Sequence, residues 1–160
     1  MITIGEFKQG TEHEVSQLIS SVFDEFVAPD YTEGGVNFFK EFIRPEKFME
    51  RIMKGDFILV AADEDKIVGM IEVRDNDHIS LLFVDKNYQR RLIAKNLFQE
   101  ALKHCRSIDP ELSMFYVHAS PYSIPAYHKI GFAAIGGMKE ANGIFYLPMA
   151  MTLQSWPAGI

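Results

Sequence analysis

The sequence has one cysteine and little positive charge, and each scarcity removes a class of protein. Cys105 alone cannot form an intramolecular disulfide, and no cysteine and histidine residues have metal-ligand spacing. The 22 acidic residues outnumber the 16 basic ones and give a net charge of -6, which argues against a dedicated nucleic-acid-binding protein. We therefore expect no metal, no nucleic-acid partner and a fold stabilised by packing alone.

Long apolar runs are also missing. None approaches the roughly 20 residues that span a bilayer, and the first residues lack the basic and apolar regions of a signal peptide. We therefore expect a cytoplasmic protein without a membrane partner. The 160 residues, 48% of them hydrophobic, predict one domain over residues 1–160. Cys105 lies on an apolar helix face and is expected to be a core thiol, with a nucleophile as the alternative.

The spacing of apolar residues in the first half predicts a strand, three helices and a three-strand meander. Thr11 is expected to cap the first helix, with Glu14 completing a capping box, and Pro29 ends the apolar pattern. Pro45 suits the first turn of the third helix. The predicted strands are 1–7, 57–62, 67–73 and 78–84, and the second and third helices occupy 33–54.

The second half predicts one long helix, a strand, a short helix and a final hairpin. Their predicted ranges are 89–106, 112–119, 123–130, and 132–138 with 143–153, the hairpin turning at Asn142-Gly143. The strands on either side of the long helix should be parallel and joined by a right-handed crossover. The order predicts a mixed α/β fold with helices covering the sheet.

The junction between the third meander strand and the long helix has the features of a phosphate site. A strand running into a helix start leaves free N–H groups at the positive end of the helix dipole. Arg90 and Arg91 add cationic donors that suit a pyrophosphate. Two solvated arginines at a helix start remain the alternative.

This segment resembles the acyl-CoA motif of the GNAT superfamily of N-acyltransferases, Q/R-x-x-G-x-G/A after a valine-ended strand. Leu92 departs from the motif because the family usually has glycine there, whereas Ala94 is an accepted replacement. By resemblance, Phe83 and Val84 offer backbone groups to the pantetheine arm of acetyl-CoA. The residues in the motif are Gln89, Arg90, Arg91, Leu92, Ile93 and Ala94.

A second segment, residues 117–132, resembles the family's strand and A-x-P-x-Y-x-K-x-G-F-type motif. The resemblance covers nearly the whole chain and implies a mixed, mostly antiparallel GNAT-type sheet with helices on both faces. It implies that Tyr127 protonates the leaving CoA thiolate and that Ser120 belongs to the cofactor-binding residues. A phenol, with a pKa of about 10, is protonated at neutral pH and suits that role.

The acceptor amine must lose a proton before it can attack, so the reaction needs a base or a water relay. Glu72, on the central meander strand, is the predicted base, and a solvent-facing carboxylate is its alternative reading. His78 and His118 are alternative bases. Tyr122, Phe38, Phe39 and Phe42 are candidates for the wall of the acceptor pocket, although ordinary core packing is the favoured interpretation of the three phenylalanines. Asp30 and Glu33 are candidates for attracting a cationic amine, with solvated loop residues as the alternative.

The sequence therefore predicts an N-acetyltransferase that moves an acetyl group from acetyl-CoA to an amine by direct attack in a ternary complex. An inactive GNAT-like binding module and an enzyme for a longer acyl-CoA are the alternatives. The acceptor stays open among small amines, antibiotics, amino acids and protein termini. Trp156 in the tail suggests either a homodimer contact or packing against its own sheet.

Overall fold

The computed structural model describes residues 1–153. Trp156 lies outside the described residues. No helix among them is long and apolar enough to cross a bilayer. The elements, in chain order, are β1 (Ile2–Glu6), α1 (Glu12–Val22), α2 (Glu33–Phe42), α3 (Pro45–Met53), β2 (Phe57–Asp63), β3 (Lys66–Arg74), β4 (His78–Val84), α4 (Ile93–Ile108), β5 (Met114–Ala119), α5 (Ile124–Ile130), β6 (Ala133–Ala134), β7 (Lys139–Ala141) and β8 (Ile144–Thr152).

The strands form one mixed, mostly antiparallel sheet, as predicted. Its order is β1-β2-β3-β4-β5-β8-β6, and β7 pairs with β8 beside this path. The pair β4 and β5 is parallel, whereas the other pairs among the described strands are antiparallel. Helix α4 connects the two parallel strands, which confirms the predicted strand-helix-strand unit.

Helices cover both faces of the sheet, and each face has its own apolar core. Alternate residues of a strand point to opposite faces, so β5 sends Phe115, Val117 and Ala119 towards α4. The other face packs against α1, α2 and α3, with Met70 of β3 and Leu81 of β4 in that core. Cys105 is fully buried among the α4-side residues, and burial raises the pKa of its thiol to about 12. This confirms the expected core thiol.

The first helix differs in detail from its prediction. Thr11 precedes α1, but its side chain makes no capping hydrogen bond and donates instead to the carbonyl of Lys8 at 2.7 Å, so the predicted capping box is wrong. The chain stays helical beyond α1 through a π-helical turn at Phe23–Val27 and ends in a single 3-10 turn that contains Pro29. The buried apolar face and the proline stop are as predicted.

The long helix starts later than predicted, at Ile93 instead of Gln89. Arg90 and Leu92 have φ values of 65° and 63°, which no right-handed helix contains. Residues 89–92 are therefore a loop that leads into α4. The two short helices are confirmed, with Pro45 as the first residue of α3.

The final hairpin is shorter and more broken than predicted. The predicted strand 132–138 reduces to β6, a bend, and then β7, although the turn does lie at Asn142-Gly143. Gly143 meets the start of α2, where a Cβ on Gly35 would lie 2.2 Å from the Gly143 carbonyl oxygen. Only glycine allows this approach, and it fixes α2 beside the hairpin tip.

Candidate active site

Strands β4 and β5 separate towards their carboxyl ends. They pair only at His78 with Tyr116 and Ile79 with Val117, although β4 continues to Val84 and β5 to Ala119. The other edge of β4 pairs with β3 along its length. Beyond Ile79, the edge of β4 that faces β5 is therefore without a strand partner, and a V-shaped opening, which we call the splay, lies between the two strands.

A β-bulge marks the point where the splay begins. Glu72 of β3 lies opposite Leu81, but the next residue, Val73, lies opposite Ile79, so Ser80 is an extra residue in β4. Bulges redirect the backbone and leave a residue unpaired, and they concentrate next to active sites. The Ser80 hydroxyl is buried and finds no hydrogen-bond partner among the described residues. Sequence reasoning missed this bulge, because one serine in a strand pattern gives no signal for it.

The loop after β4 brings the first predicted motif to the mouth of the splay. Leu92, the residue before α4, has the left-handed φ of 63° that glycine adopts without strain. Its side chain is 66% exposed. Leu92 therefore has a backbone conformation typical of glycine while its side chain stays outside the core, and the first N–H groups of α4, at Ile93 and Ala94, have no intrahelical partners.

Gln89 links the two sides of the mouth. Its Nε2 donates to the Val84 carbonyl at 3.1 Å, and its Oε1 accepts from the Tyr122 hydroxyl at 3.1 Å. Tyr122 in turn stacks on Phe26, with ring centroids 4.9 Å apart. Tyr122 thus lies at the mouth. Of the predicted wall, Phe39 is buried and stacked on Phe23, and Phe38 is exposed.

The two arginines of the motif lie at this same loop. The Arg91 guanidinium lies 4.9 Å from the centre of the Tyr88 ring, and the Tyr88 hydroxyl donates to Asp63 at 2.8 Å. Through these contacts the loop between β4 and α4 is bound to Asp63 at the end of β2. A cationic group held over an aromatic ring gains modest attraction while its N–H groups remain available to an anion.

The second motif forms the other side of the splay. Ser120 follows β5, and its hydroxyl lies 2.9 Å from that of Ser123 at the start of a short turn. Tyr127 lies on α5, is 6% exposed, and packs edge-to-face on Phe132 at 5.5 Å. Burial raises its pKa well above the ordinary value for tyrosine, so the phenol stays protonated at neutral pH.

Glu72, the predicted base, is fully buried and paired. Arg51 of α3 binds both of its carboxylate oxygens, with Nε to Oε2 at 2.6 Å and Nη2 to Oε1 at 3.0 Å. Burial raises the pKa of Glu72 to about 7, although the hydrogen bonds from Arg51 act in the opposite direction. Arg51 also donates to the Phe42 carbonyl at 2.7 Å and lies over the Phe42 ring. The structure therefore places Glu72 under the helical insert rather than at an open surface.

The two histidines meet on the sheet face opposite α4. His78 and His118 are in edge-to-face contact, with ring centroids 4.7 Å apart, and His118 stacks on Tyr146 at 4.3 Å. Burial lowers the pKa of His78 to about 4, and it also lowers the pKa of the more exposed His118. Both imidazoles are therefore neutral at pH 7, and His118, the first β5 residue beyond the parallel pairing, is open to solvent.

Tyr127 and His118 thus lie on opposite faces of the splay. Tyr127 belongs to the apolar cluster on the α4 face together with Ala119, whereas His118, one residue earlier on β5, points to the other face. At the end of β5 the protonated phenol of Tyr127 therefore lies on the α4 face and the neutral imidazole of His118 on the opposite face. The structure joins the two motif segments through the hydrogen bond between Tyr122 and Gln89, and it leaves the Glu72 carboxylate enclosed by its arginine.

A separate shallow cavity of about 360 Å³ lies between β1 and α4, where Glu6, Lys103 and His104 contribute to its lining. None of the motif residues lines it, and β1 is the sheet edge farthest along the strand order from β5. Within residues 1–153 no three histidine, cysteine or acidic side chains gather as metal ligands. The splay is therefore the site that the geometry supports.

Known structures share this architecture. A GCN5-related N-acetyltransferase from Rhodopseudomonas palustris is 20% identical over 94% of this chain and 95% of its own, with a TM-score of 0.80. The PaiA N-acetyltransferase from Thermoplasma acidophilum, in complex with coenzyme A, is 17% identical over 95% and 99% of the two chains, with a TM-score of 0.78. An aminoglycoside 6′-N-acetyltransferase complexed with coenzyme A is 16% identical over 97% and 99%, with a TM-score of 0.70.

At these identities the three structures show a shared fold. No curated protein matched the chain. The model of a family described as the acetyltransferase (GNAT) domain matches residues 27–153, which contain both motifs and every strand of the splay. The chain therefore belongs to the GNAT acetyltransferase family.

Proposed function

We propose that this protein is an N-acetyltransferase that moves an acetyl group from acetyl-CoA to an amine by direct attack in a ternary complex. The observation that carries the proposal is the splay between β4 and β5, which opens beside the start of α4 and has Tyr127 and His118 on its two faces. Two of the similar structures contain coenzyme A. We expect one domain, residues 1–160, to carry this activity in the cytoplasm.

The residues around the splay fit such a donor. The unpaired edge of β4 offers backbone groups that an extended pantetheine arm would bond, as an added strand does. The Asp85 N–H donates to the Val68 carbonyl of β3, so by alternation the backbone groups of Phe83 face β3 and those of Val84 face the splay, where the Val84 carbonyl already accepts from Gln89 and its N–H remains for the donor. The segment from Gln89 to Ala94 offers N–H groups at the α4 start and the guanidinium groups of Arg90 and Arg91 to the pyrophosphate. Ser120 faces them from the other side of the mouth. Acetyl-CoA supplies a thioester, whose carbonyl carbon accepts the amine and whose sulfur departs.

Tyr127 acts as the general acid in this proposal. The departing sulfur takes the phenolic proton as the carbon–sulfur bond breaks, and the raised pKa of Tyr127 keeps that proton in place until then. Its packing against Phe132 fixes the ring, since a side chain that is 6% exposed has little freedom to move.

His118 is the base that the geometry favours, and Glu72 is its alternative. His118 is exposed at the end of β5, so an amine on this face can contact it, and the neutral imidazole can take the proton of the amine as the carbon–nitrogen bond forms. Glu72 would first have to release Arg51, which holds both of its oxygens. With Arg51 in place, Glu72 joins α3 to β3, the strand that pairs with the bulged strand β4.

The test measures donor binding and turnover separately. Acetyl-CoA is titrated into the purified protein by calorimetry, and thiol release is then followed over a panel of primary amines, with Tyr127→Phe as the matched variant. We expect micromolar binding in both proteins and turnover reduced about 100-fold in the variant. Absence of acetyl-CoA binding would refute the proposal and favour an inactive binding module, whereas equal turnover in both proteins would remove Tyr127 from the mechanism.

A further inference from the structure

The sheet face beside His118 carries two cations that the proposed reaction does not use. Arg74 ends β3, lies opposite His78 in the β3–β4 register, and its Nη2 is 3.2 Å from the His78 Nε2. Lys139 of β7 lies opposite Tyr146 of β8. Directly paired residues of antiparallel strands point to the same face, so Lys139 stands beside the tyrosine on which His118 stacks.

These side chains form one continuous surface, which we call the cationic face: Arg74, His78, His118, Tyr146 and Lys139. Its members connect in sequence through the Arg74–His78 contact, the His78–His118 and His118–Tyr146 ring contacts and the Tyr146–Lys139 pairing. The positive charges of Arg74 and Lys139 both act on His118, where they add to the effect of burial in lowering its pKa. The candidate base therefore lies between two cations.

The carboxylates nearby offset the positive charge of this face only in part. Asp75 pairs with Arg74 at 3.2 Å, but its side chain is largely exposed in the β3–β4 turn, where such a pair is weak. Glu140 follows Lys139 and lies opposite Phe145, so it points to the other side of β7. Asp77 also acts on Arg74 from near that turn. Asp30 and Glu33 lie around the start of α2, which contacts the β7–β8 turn through Thr32 and Gly143, but neither forms an ion pair with Arg74 or Lys139 among the described residues.

We propose that the acceptor of this enzyme is an amine that also carries an anionic group, a carboxylate or a phosphate, which binds against Arg74 and Lys139 while the amine reaches His118. This inference rests on the proposed function, because it names the substrate class of the same site. Two cations flanking an aromatic platform attract an anion and repel a second ammonium group, so a polyamine or an aminoglycoside fits this face poorly. An arginine beside a histidine also suits the planar fork of a carboxylate.

The test compares reaction products that differ only in the anionic group. N-acetyltyrosine is paired with N-acetyltyramine, N-acetylglutamine with the acetylated amine that lacks its carboxylate, and N-acetylphosphoethanolamine with N-acetylethanolamine. Each is titrated by calorimetry into the protein in the presence of coenzyme A. We expect at least one anionic product to bind about tenfold or more tightly than its neutral partner, the size of one good charge-assisted contact. The first two pairs report on a carboxylate and the third on a phosphate.

Variants of Lys139 separate an electrostatic role from a structural one. Lys139→Gln should remove most of the preference for the anionic product, and Lys139→Glu should reverse it in favour of the neutral one. Lys103→Gln, an exposed charge change on α4, serves as the control and should leave the preference unchanged. An inert or misfolded protein would lose binding of both products, so the ratio distinguishes the two roles.

Three results would overturn the inference: equal binding within every pair, no binding of any anionic product, or an unchanged ratio in both Lys139 variants. Failure of the proposed function is distinguishable from these. Tighter binding of anionic products without acetylation of any amine would support the cationic face and contradict the proposed enzyme activity. Acetylation of amines without preference for an anionic group would support the enzyme activity and contradict the cationic face.

Discussion

Arg51 holds both carboxylate oxygens of Glu72, and through this contact helix α3 is fastened to the middle of the sheet. The two N–O distances of 2.6 and 3.0 Å describe a bidentate pair, and Glu72 has no exposed surface. The same guanidinium donates to the carbonyl of Phe42 at the end of α2. One arginine therefore joins α2 and α3 above the sheet face that carries Glu72.

Breaking this pair should destabilise the protein. Glu72→Leu leaves the guanidinium without its anion, and Arg51→Met leaves a buried carboxylate, so each should lower the free energy of unfolding by about 3 kcal/mol. The double variant Arg51→Met with Glu72→Leu should recover most of the loss, because neither charge is then buried alone. Urea unfolding of the four proteins measures the coupling, and additive losses in the double variant would show that the pair does not act as a unit.

Replacing Leu92 by glycine should stabilise the protein. An L-residue with φ of 63° is strained by its Cβ, by about 1 kcal/mol, and the exposed leucine side chain contributes no core packing to offset that strain. Leu92→Ala is the matched control, since it keeps the Cβ and should leave the unfolding midpoint nearly unchanged. A Leu92→Gly variant no more stable than Leu92→Ala would contradict the strain. Acetyl-CoA affinity should stay the same or rise.

Replacing His118 should abolish the decrease of kcat at low pH. Burial and the nearby cations lower the pKa of His118 below its ordinary value of 6.5. At pH 6.5 and above, most of the imidazole is therefore neutral and able to accept a proton. The kcat of the unaltered enzyme should therefore fall only at pH values below 6.5, and His118→Gln should be about 100-fold slower at pH 7.5 with no such fall. An unchanged pH profile in His118→Gln would transfer the base role to another group.

Stability should depend on pH through His78. Its pKa is lowered from 6.5 to about 4, so between these values the unfolded chain binds a proton that the folded chain does not. Stability from this group is complete above pH 6.5 and is lost as the pH falls towards 4. The free energy of unfolding should thus be about 2 kcal/mol lower at pH 5 than at pH 7.5 on account of His78. His78→Gln should flatten that difference, and an equal slope in the variant would exclude the histidine.

The fold was largely predictable, because its signals are local and periodic. The apolar spacing in α1 and α4, Pro45 at the start of α3 and the Asn142-Gly143 turn each determine an element within a few residues. The predicted boundary of α4 was wrong because the backbone conformation of the preceding loop, and not the apolar spacing, determines where the helix begins. The positive φ values of Arg90 and Leu92 shorten α4 at its start, and no residue type in that segment announces them.

The candidate site was only partly predictable, for a different reason. Each motif can be located in the sequence by its own residues. The hydrogen bond between Tyr122 and Gln89 then joins the two segments across the mouth of the splay. The environment of Glu72 depends on Arg51, 21 residues away, and the neighbours of His118 come from β4, β7 and β8. Such contacts between distant residues leave no periodicity in the sequence. The bulge at Ser80 also leaves no sequence pattern, because it depends on how β4 aligns with β3.

The most direct test of the account is calorimetric titration of acetyl-CoA into the unaltered protein, followed by titration into Ala94→Glu, which places a carboxylate in the first turn of α4, where the pyrophosphate is proposed to bind. Ala94 is only partly buried, and a carboxylate in the first turn of a helix suits the helix dipole, so the variant is expected to fold. Circular dichroism and urea unfolding would establish that the variant is folded. Micromolar binding to the unaltered protein and its loss in the folded variant are the predicted results; equal binding in both, or no binding to the unaltered protein, would contradict the assignment of the donor to the splay.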